Sequence, residues 1–437
     1  MGTVYIRPSS CSEDAKITLD NTLMVATKTL KDVLSIPRFD MGVAADDNYI
    51  SFTCGINESG RAVSNIDFLD RWGQHYTANW PDELTDVAAI MTNNRLIVAG
   101  GRYSDGQCSS MVKRWLLCNA LFNNGVPTSM KDLPSGRYGA SIIKLGNDIL
   151  VVGGILANGV ACDGVFSYST LNTKGTNQDN GYKYLFALNI PRGFLGVGRV
   201  TDGGILLSGG KDVANNTVTG EVNVIGENVS GVRNLGARNS LEVAQEQPIS
   251  VEIYLNGFRY LLVGLGLTLP TSQGNLVSPA RVVPNIDIYA SNYNDDAQIQ
   301  GGKYGTATLD FEGVPTSAVG FSFGDCALFV VGYNDGVTKN KGYLVRVNPW
   351  RVTPIEFNFS RSYMQGGVIG KDTAYIGGGL KDGYPTKDIE MIKLIRNAPI
   401  YPGMKYKLGD MTSEETASSL TLHPLNGGFK LSGYMKL

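Results

Sequence analysis

Histidine is almost missing from this chain: His75 and His423 are the only two in 437 residues. A metal centre or a Ser-His-Asp triad needs a histidine held among partners. Two so far apart are expected at the surface, His75 in an outer loop and His423 in a terminal tail. Charge is scarce too, with Asp, Glu, Lys and Arg at 18% against a usual ~25%. The formal net charge of −2 removes the electrostatic basis for nonspecific nucleic-acid binding. No apolar run approaches the roughly 18 residues of a membrane-spanning helix, so no membrane insertion is expected. Residues 1–16 contain no apolar h-region, which predicts no secretory leader and places the protein in the cytoplasm or in a virion. The six cysteines (Cys11, Cys54, Cys108, Cys118, Cys162, Cys326) are scattered without CxxC or zinc spacing. Most are expected to be buried thiols, and no metal or cofactor is implied.

Glycine is what the chain has in excess, 54 residues, well above the usual ~7%. Its positions form a pattern. A short apolar run ending in glycine recurs seven times: Tyr49–Gly55, Leu96–Gly101, Ile149–Gly154, Ile205–Gly210, Tyr260–Gly264, Leu328–Gly332 and Ala374–Gly378. Before several runs stands a polar turn such as Asp46-Asp47-Asn48, Thr92-Asn93-Asn94 or Gly146-Asn147-Asp148, as expected of tight hairpins. A second turn follows, for example Asp105-Gly106, Asn158-Gly159, Asp335-Gly336 or Asp382-Gly383. Then comes an alternating strand, including Asn65–Leu69, Asn285–Tyr289 and Asp388–Ile392. Each repeat thus reads as a four-stranded meander, and seven such sheets close into a propeller. Stretches 170–181, 226–250 and 266–284, rich in Asn, Gly, Ser and Thr, are expected to be inserted loops.

This pattern resembles the kelch repeat, an apolar strand and a Gly-Gly pair followed by an aromatic and a tryptophan. Gly-Gly stands at 100–101, 153–154, 209–210 and 377–378, and the late tryptophan once, as Asn79-Trp80. The expected fold is all-β, a kelch-like seven-bladed β-propeller with short N- and C-terminal extensions. Residues 37–395 would form the propeller. Residues 1–36 would form an N-terminal extension that closes the ring through Thr3–Ile6 or Ala15–Leu19. Residues 396–437 would form a C-terminal tail with a candidate strand at Met404–Leu408 and a hairpin, Leu420–Leu422 and Phe429–Leu431 around Asn426-Gly427-Gly428.

The resemblance brings known enzymes with it. Copper radical oxidases of this fold use two His and a Tyr crosslinked to a Cys, which two scattered histidines do not easily supply. The iron-dependent specifier proteins of plants use an E-x3-D-x3-H arrangement, which this chain lacks. Sialic acid mutarotases of the kelch type need only positioned carboxylates and arginines, so that alternative stays open. No catalytic residue is assigned. Paired acids such as Asp46-Asp47 read as turn residues, and Asp105, Asp335 and Asp382 lie on different blades, too dispersed for calcium.

An arginine leads into several blades: Arg38, Arg137, Arg192 and Arg361, with Arg238 in a looser context, and Tyr138 and Tyr363 beside them. Two readings stay open. Four guanidiniums around one mouth of the channel would bind carboxylates. Alternatively, each arginine ties its own blade by bonding loop carbonyls, as the resemblance to kelch repeats implies. Tyr103, Tyr333 and Tyr384, also in or beside turns, would with Tyr138 and Tyr363 suit polar contacts to a glycan or protein. The function expected is a non-enzymatic structural or adhesion module binding protein assembly partners or a surface glycan, plausible as a phage capsid, collar or tail component. The alternatives are an acidic-sugar-binding or mutarotase-like protein and an intracellular adaptor for an acidic peptide.

Overall fold

The computed structural model describes residues 23–117, 125–169 and 182–396, apart from a few loop positions, together with 421–424. Among the described residues, seven antiparallel sheets of four or five strands are laid down in chain order, with four small two-stranded ones beside them. Blade 1 comprises Gly42–Ala45, Tyr49–Thr53, Val63–Asp70 and His75–Leu84. Blade 2 comprises Ala88–Thr92, Arg95–Ala99, Val112–Leu116 and Thr128–Ser129. Blade 3 is Ser141–Leu145, Asp148–Val152, Gly164–Ser169 and Tyr182–Ala187. Blade 4 is Gly196–Thr201, Gly204–Ser208, Val222–Asn228 and Gly231–Arg238. Blade 5 is Ile249–Leu255, Phe258–Gly264, Asn285–Asp296 and Ile299–Thr308. Blade 6 is Ser317–Ser322, Ala327–Gly332, Lys341–Arg346 and Arg351–Glu356. Blade 7 takes Gln365–Ile369, Thr373–Gly377 and Ile389–Arg396 from the end of the repeats.

The fourth strand of blade 7 comes from the other end of the chain. Leu23–Leu30 pairs antiparallel with Ile389–Arg396, from Leu23↔Arg396 to Leu30↔Ile389. Thr421–Pro424 adds a fifth strand on its outer side. This interlock joins the two ends in one sheet, so the ring presents no open seam of unpaired strands there. Thr3–Ile6, Ala15–Leu19, Met404–Leu408 and the 426–431 part of the expected tail hairpin lie outside the described residues.

The first strands of successive blades touch one another around a complete ring, blade 7 against blade 1 included. The core is correspondingly divided. Among the described residues it forms seven apolar clusters, each drawn mainly from two neighbouring blades. The second strand of each blade feeds them, with near-continuous burial such as Ile149–Val152 and Ala327–Gly332, as expected of strands covered on both faces. Trp80, 2% exposed, packs against Trp115 across blades 1 and 2 at 6.2 Å between centroids.

The hairpin turns form where Asn and Asp permit them, with Asn93 and Asn94 at φ 51° and 56°. One expected loop is instead sheet. Residues 226–238 contain the end of the third strand of blade 4 and all of its outer strand. Its glycines and asparagines suit an outermost strand because position in the sheet, more than composition, decides strand formation. Within 266–284 a small hairpin forms, Thr271–Gln273 with Leu276–Ser278, and 170–181 lies outside the described residues.

Candidate functional site

The glycine pairs explain how blades are joined. Gly100 and Gly101 have φ of 66° and 112°. A Cβ on Gly100 would stand 2.5 Å from the Arg137 carbonyl oxygen. That carbonyl, on the lead-in to blade 3, accepts the Gly101 N–H of blade 2 at 2.8 Å. The same bond recurs from Gly154 to Arg192 at 3.1 Å and from Gly379 to Arg38 at 3.0 Å. In blade 7 the left-handed pair is therefore Gly378-Gly379, one residue beyond the pair expected at 377–378, because Gly377 still belongs to the strand. In blade 1, Cys54 takes the first position at φ 60°.

Four of the arginines stand beneath this joint and are buried, Arg38 and Arg192 fully and Arg137 and Arg361 at 2% exposure, whereas Arg238, 7% exposed, ends the outer strand of blade 4. Arg38 Nη2 donates to the Phe52 carbonyl at 2.9 Å and meets Asp67 Oδ2 at 2.6 Å. Arg137 Nη1 donates to the Gly153 carbonyl at 3.1 Å and Nη2 to Ser135 Oγ at 2.8 Å. Arg192 Nη2 reaches Asn223 Oδ1 at 2.7 Å, and Nη1 lies 3.6 Å from Glu221. Arg361 donates to the Gly378 and Asp388 carbonyls and pairs with Glu390. Each guanidinium is thus spent on its own blade, and the four are not assembled around a mouth.

Their acidic or amide partners share one register on the third strand, where Asp67, Asn223, Asp287 and Glu390 are all at most 1% exposed. Blade 5 has no such arginine, and Lys303 of its outer strand meets Asp287 at 2.8 Å instead. The acids could have been found in the sequence, since Ile66-Asp67-Phe68, Ile286-Asp287-Ile288 and Ile389-Glu390-Met391 each place a carboxylate between apolar residues. His75 also has a different place from the outer loop expected of it. It opens the outer strand of blade 1 and its Nε2 lies 2.7 Å from Asp67 Oδ1.

At the end of the channel where the chain enters each innermost strand, a cavity of about 370 Å³ opens. Its rim is built from the residue that turns the chain inward. Asp40, Asp86, Phe194, Gln247 and Tyr363 all adopt φ between 48° and 53°, and Gly139 has φ 59°. Main-chain bonds link consecutive blades there: Gly139 N–H to Asp86 O at 3.2 Å, Phe194 N–H to Gly139 O at 2.7 Å and Gln247 N–H to Phe194 O at 2.8 Å. Asp40, Asp86, Phe194, Gln247 and Gln365 line the cavity. Asp86 accepts from Arg102 Nη2 at 3.1 Å, and that guanidinium lies over the Tyr138 ring at 4.6 Å. Among the described residues, no hydrogen bond or ion pair to the Asp40 carboxylate is found. Burial, then the charge of Asp86, push the Asp40 carboxyl up to about 7, and Arg102 only partly opposes them. Burial raises Asp86 as well, against the pull of Arg102.

Of the expected tyrosines, Tyr138 is half-buried under Arg102 and packs edge-on to Phe194 at 5.8 Å. Tyr363 is 37% exposed on the rim and Tyr384 is 75% exposed, whereas Tyr333 belongs to the core at 3%. Asp105 and Asp335 accept main-chain N–H groups of their own turns. Cys54 and Cys326 are buried free thiols, each pushed up to about 12 by burial, and Cys108 and Cys162 are half-buried free thiols. A larger groove, about 1040 Å³, lies at the closing seam between blades 7 and 1. Its lining is mixed with cations in excess, Lys31, Arg71, Lys371, Lys393 and Arg396 standing with Asp32, Asp47 and Asp372.

No protein-family model matches the chain, and no curated protein matches it. Among solved structures, that of YjhT matches with a TM-score of 0.53 and 13% sequence identity, over 74% of this chain and 99% of that one. Identity so low speaks for architecture alone, and on the repeat, the ring of sheets and this likeness the chain is a kelch-like seven-bladed β-propeller.

Proposed function

We propose that the protein is a binding scaffold whose ligand or partner group seats in the mouth of the propeller channel. The supporting observation is the cavity of about 370 Å³, onto which the lead-ins of several blades converge with polar side chains in left-handed backbone conformations. Such conformations cost roughly 1–3 kcal/mol each for ordinary residues and gather at functional sites. A concave, partly apolar pocket with a few convergent polar groups is the usual form of a ligand site. Rigidity comes from blades tied by glycine–carbonyl bonds and buried arginines, so little ordering cost falls on binding. The test is ligand-observed NMR with small polar molecules, including neutral and acidic sugars, on the native protein and on Phe194→Ala and Gln247→Ala. Binding weakened at least tenfold in these variants supports the mouth; binding unaffected by either would place the site elsewhere.

One observation favours a second reading, sugar modification of the sialic-acid-mutarotase type: a carboxyl near 7 beside a second acid and an arginine suits general acid–base work. An anomer-exchange rate of N-acetylneuraminate unchanged by the protein would remove it. An acidic peptide finds little at a mouth with two carboxylates and one committed guanidinium. The virion reading rests on composition alone and forms no part of this proposal.

A further inference from the structure

Resting on the reading of the mouth as a binding site, we infer that its ligand presents an organic ammonium group, seated against the Asp40 carboxylate with the Phe194 ring as one wall. Three observations converge. The first is the charge inventory. Asp40 and Asp86 face one guanidinium, Arg102, which is already held by Asp86 and by the face of Tyr138. The nearby Lys211 is likewise committed, to Glu246 at 2.8 Å. With both acids ionised, the mouth therefore keeps an unanswered negative charge. The second is the vacancy in Asp40's hydrogen bonding: among the described residues its carboxylate has neither donor nor counter-ion, although it lines an open cavity. The third is chemically independent of the acids. Phe194 lines the same cavity, is braced edge-on by Tyr138, and is seated against Gly139, where a Cβ would come within 2.6 Å of the ring. A carboxylate and an aromatic face together are the combination that holds a desolvated ammonium.

The raised Asp40 carboxyl has the same origin. Burial and then the repulsion from Asp86 keep a proton on Asp40; a bound cation would relieve the repulsion, so cation and proton compete for one seat. Affinity for a cation of fixed charge should therefore rise between pH 6 and 8, by up to about tenfold per unit on the acid side of Asp40's titration. An anionic ligand would show the opposite slope.

The experiment uses the full chain and probes matched in shape. Choline and ethanolamine carry the ammonium as quaternary and primary forms, 3,3-dimethyl-1-butanol is the neutral match for choline, and 3,3-dimethylbutyrate is the anion. Binding is followed by NMR titration at pH 6, 7 and 8. At pH 8 at least one ammonium probe should bind tenfold or more tighter than the neutral match, and Asp40→Asn should remove both that preference and the pH slope. Asparagine accepts the positive φ of position 40, so this variant is expected to fold. Phe194→Leu, a second variant that leaves every charge in place, should weaken the ammonium probe while keeping the slope. Equal binding of the neutral probe, lost in Phe194→Leu, would overturn the cation inference and leave the mouth as a binding site. If no probe and no molecule in the wider screen engages the mouth, both readings fall.

Discussion

Asp67 and Asp40 serve the same blade and both are largely enclosed, yet their carboxyls move in opposite directions. Burial would raise Asp67, but hydrogen bonds from His75, Arg38 and the Ser35 N–H outweigh it and hold the group below the usual carboxylate range. Asp40 is less deeply enclosed, but with no donor among the described residues and with Asp86 for company its burial prevails and it rises to about 7. What separates them is the supply of partners. On the third strand the lead-in arginine is at hand; at the rim the backbone turns inward, and Arg102, the guanidinium near it, is taken by Asp86. Inside the blades charge serves cohesion, and at the mouth it is left available.

The comparison is broken most severely from the interior side. Arg38→Ala would leave Asp67 buried without its main counter-charge, a loss expected at about 3–5 kcal/mol in urea unfolding. Adding Asp67→Asn should return part of it, and strictly additive losses would show that the pair is not coupled. A smaller effect of opposite sign is expected at the rim. Because Asp40 titrates higher folded than the ~3.9 of an unfolded aspartate, the folded state holds its proton longer. Stability should therefore drop as pH rises from about 4 to 7 on this group's account. Asp40→Asn should stabilise the protein by about 1–2 kcal/mol at pH 8 and by nothing near pH 4, read as melting curves at the two pH values. Asp67 has the reverse sign: its contribution is full above the unfolded value and is lost as pH falls through its lower folded one. The smallest effect belongs to the exposed pair of Arg396 and Asp325, 2.6 Å apart with both side chains more than a third exposed. Arg396→Ala should cost about 0–1 kcal/mol, less in high salt; a larger loss would show that the end of blade 7's third strand depends on that pair.

Much of the fold was legible because it repeats. Seven apolar runs ending in glycine, with Asn- and Asp-rich turns at fixed offsets, report strand, hairpin and blade directly, since period and φ > 0 are local properties. The closing strand was not legible. Leu23–Leu30 has no glycine punctuation, and its partner stands more than three hundred residues away, so only ring closure selects it. The arginines were found but not their direction: a lead-in arginine looks the same in sequence whether it points to the channel or beneath the strands. The acids at 67, 287 and 390 stand between apolar neighbours, but alternation alone assigns a charged residue to the exposed face, and only the packed blade shows these positions buried.

The sequence by itself determined the architecture, because glycine pairs, tight turns and alternating strands are written in short windows that leave few other folds for the chain. Tertiary structure decided which charges are answered. Nothing in the sequence singles out Asp40 and Asp86; they meet at one cavity because the ring brings consecutive lead-ins to one rim, where enclosure withdraws water and Arg102 is already held by Asp86.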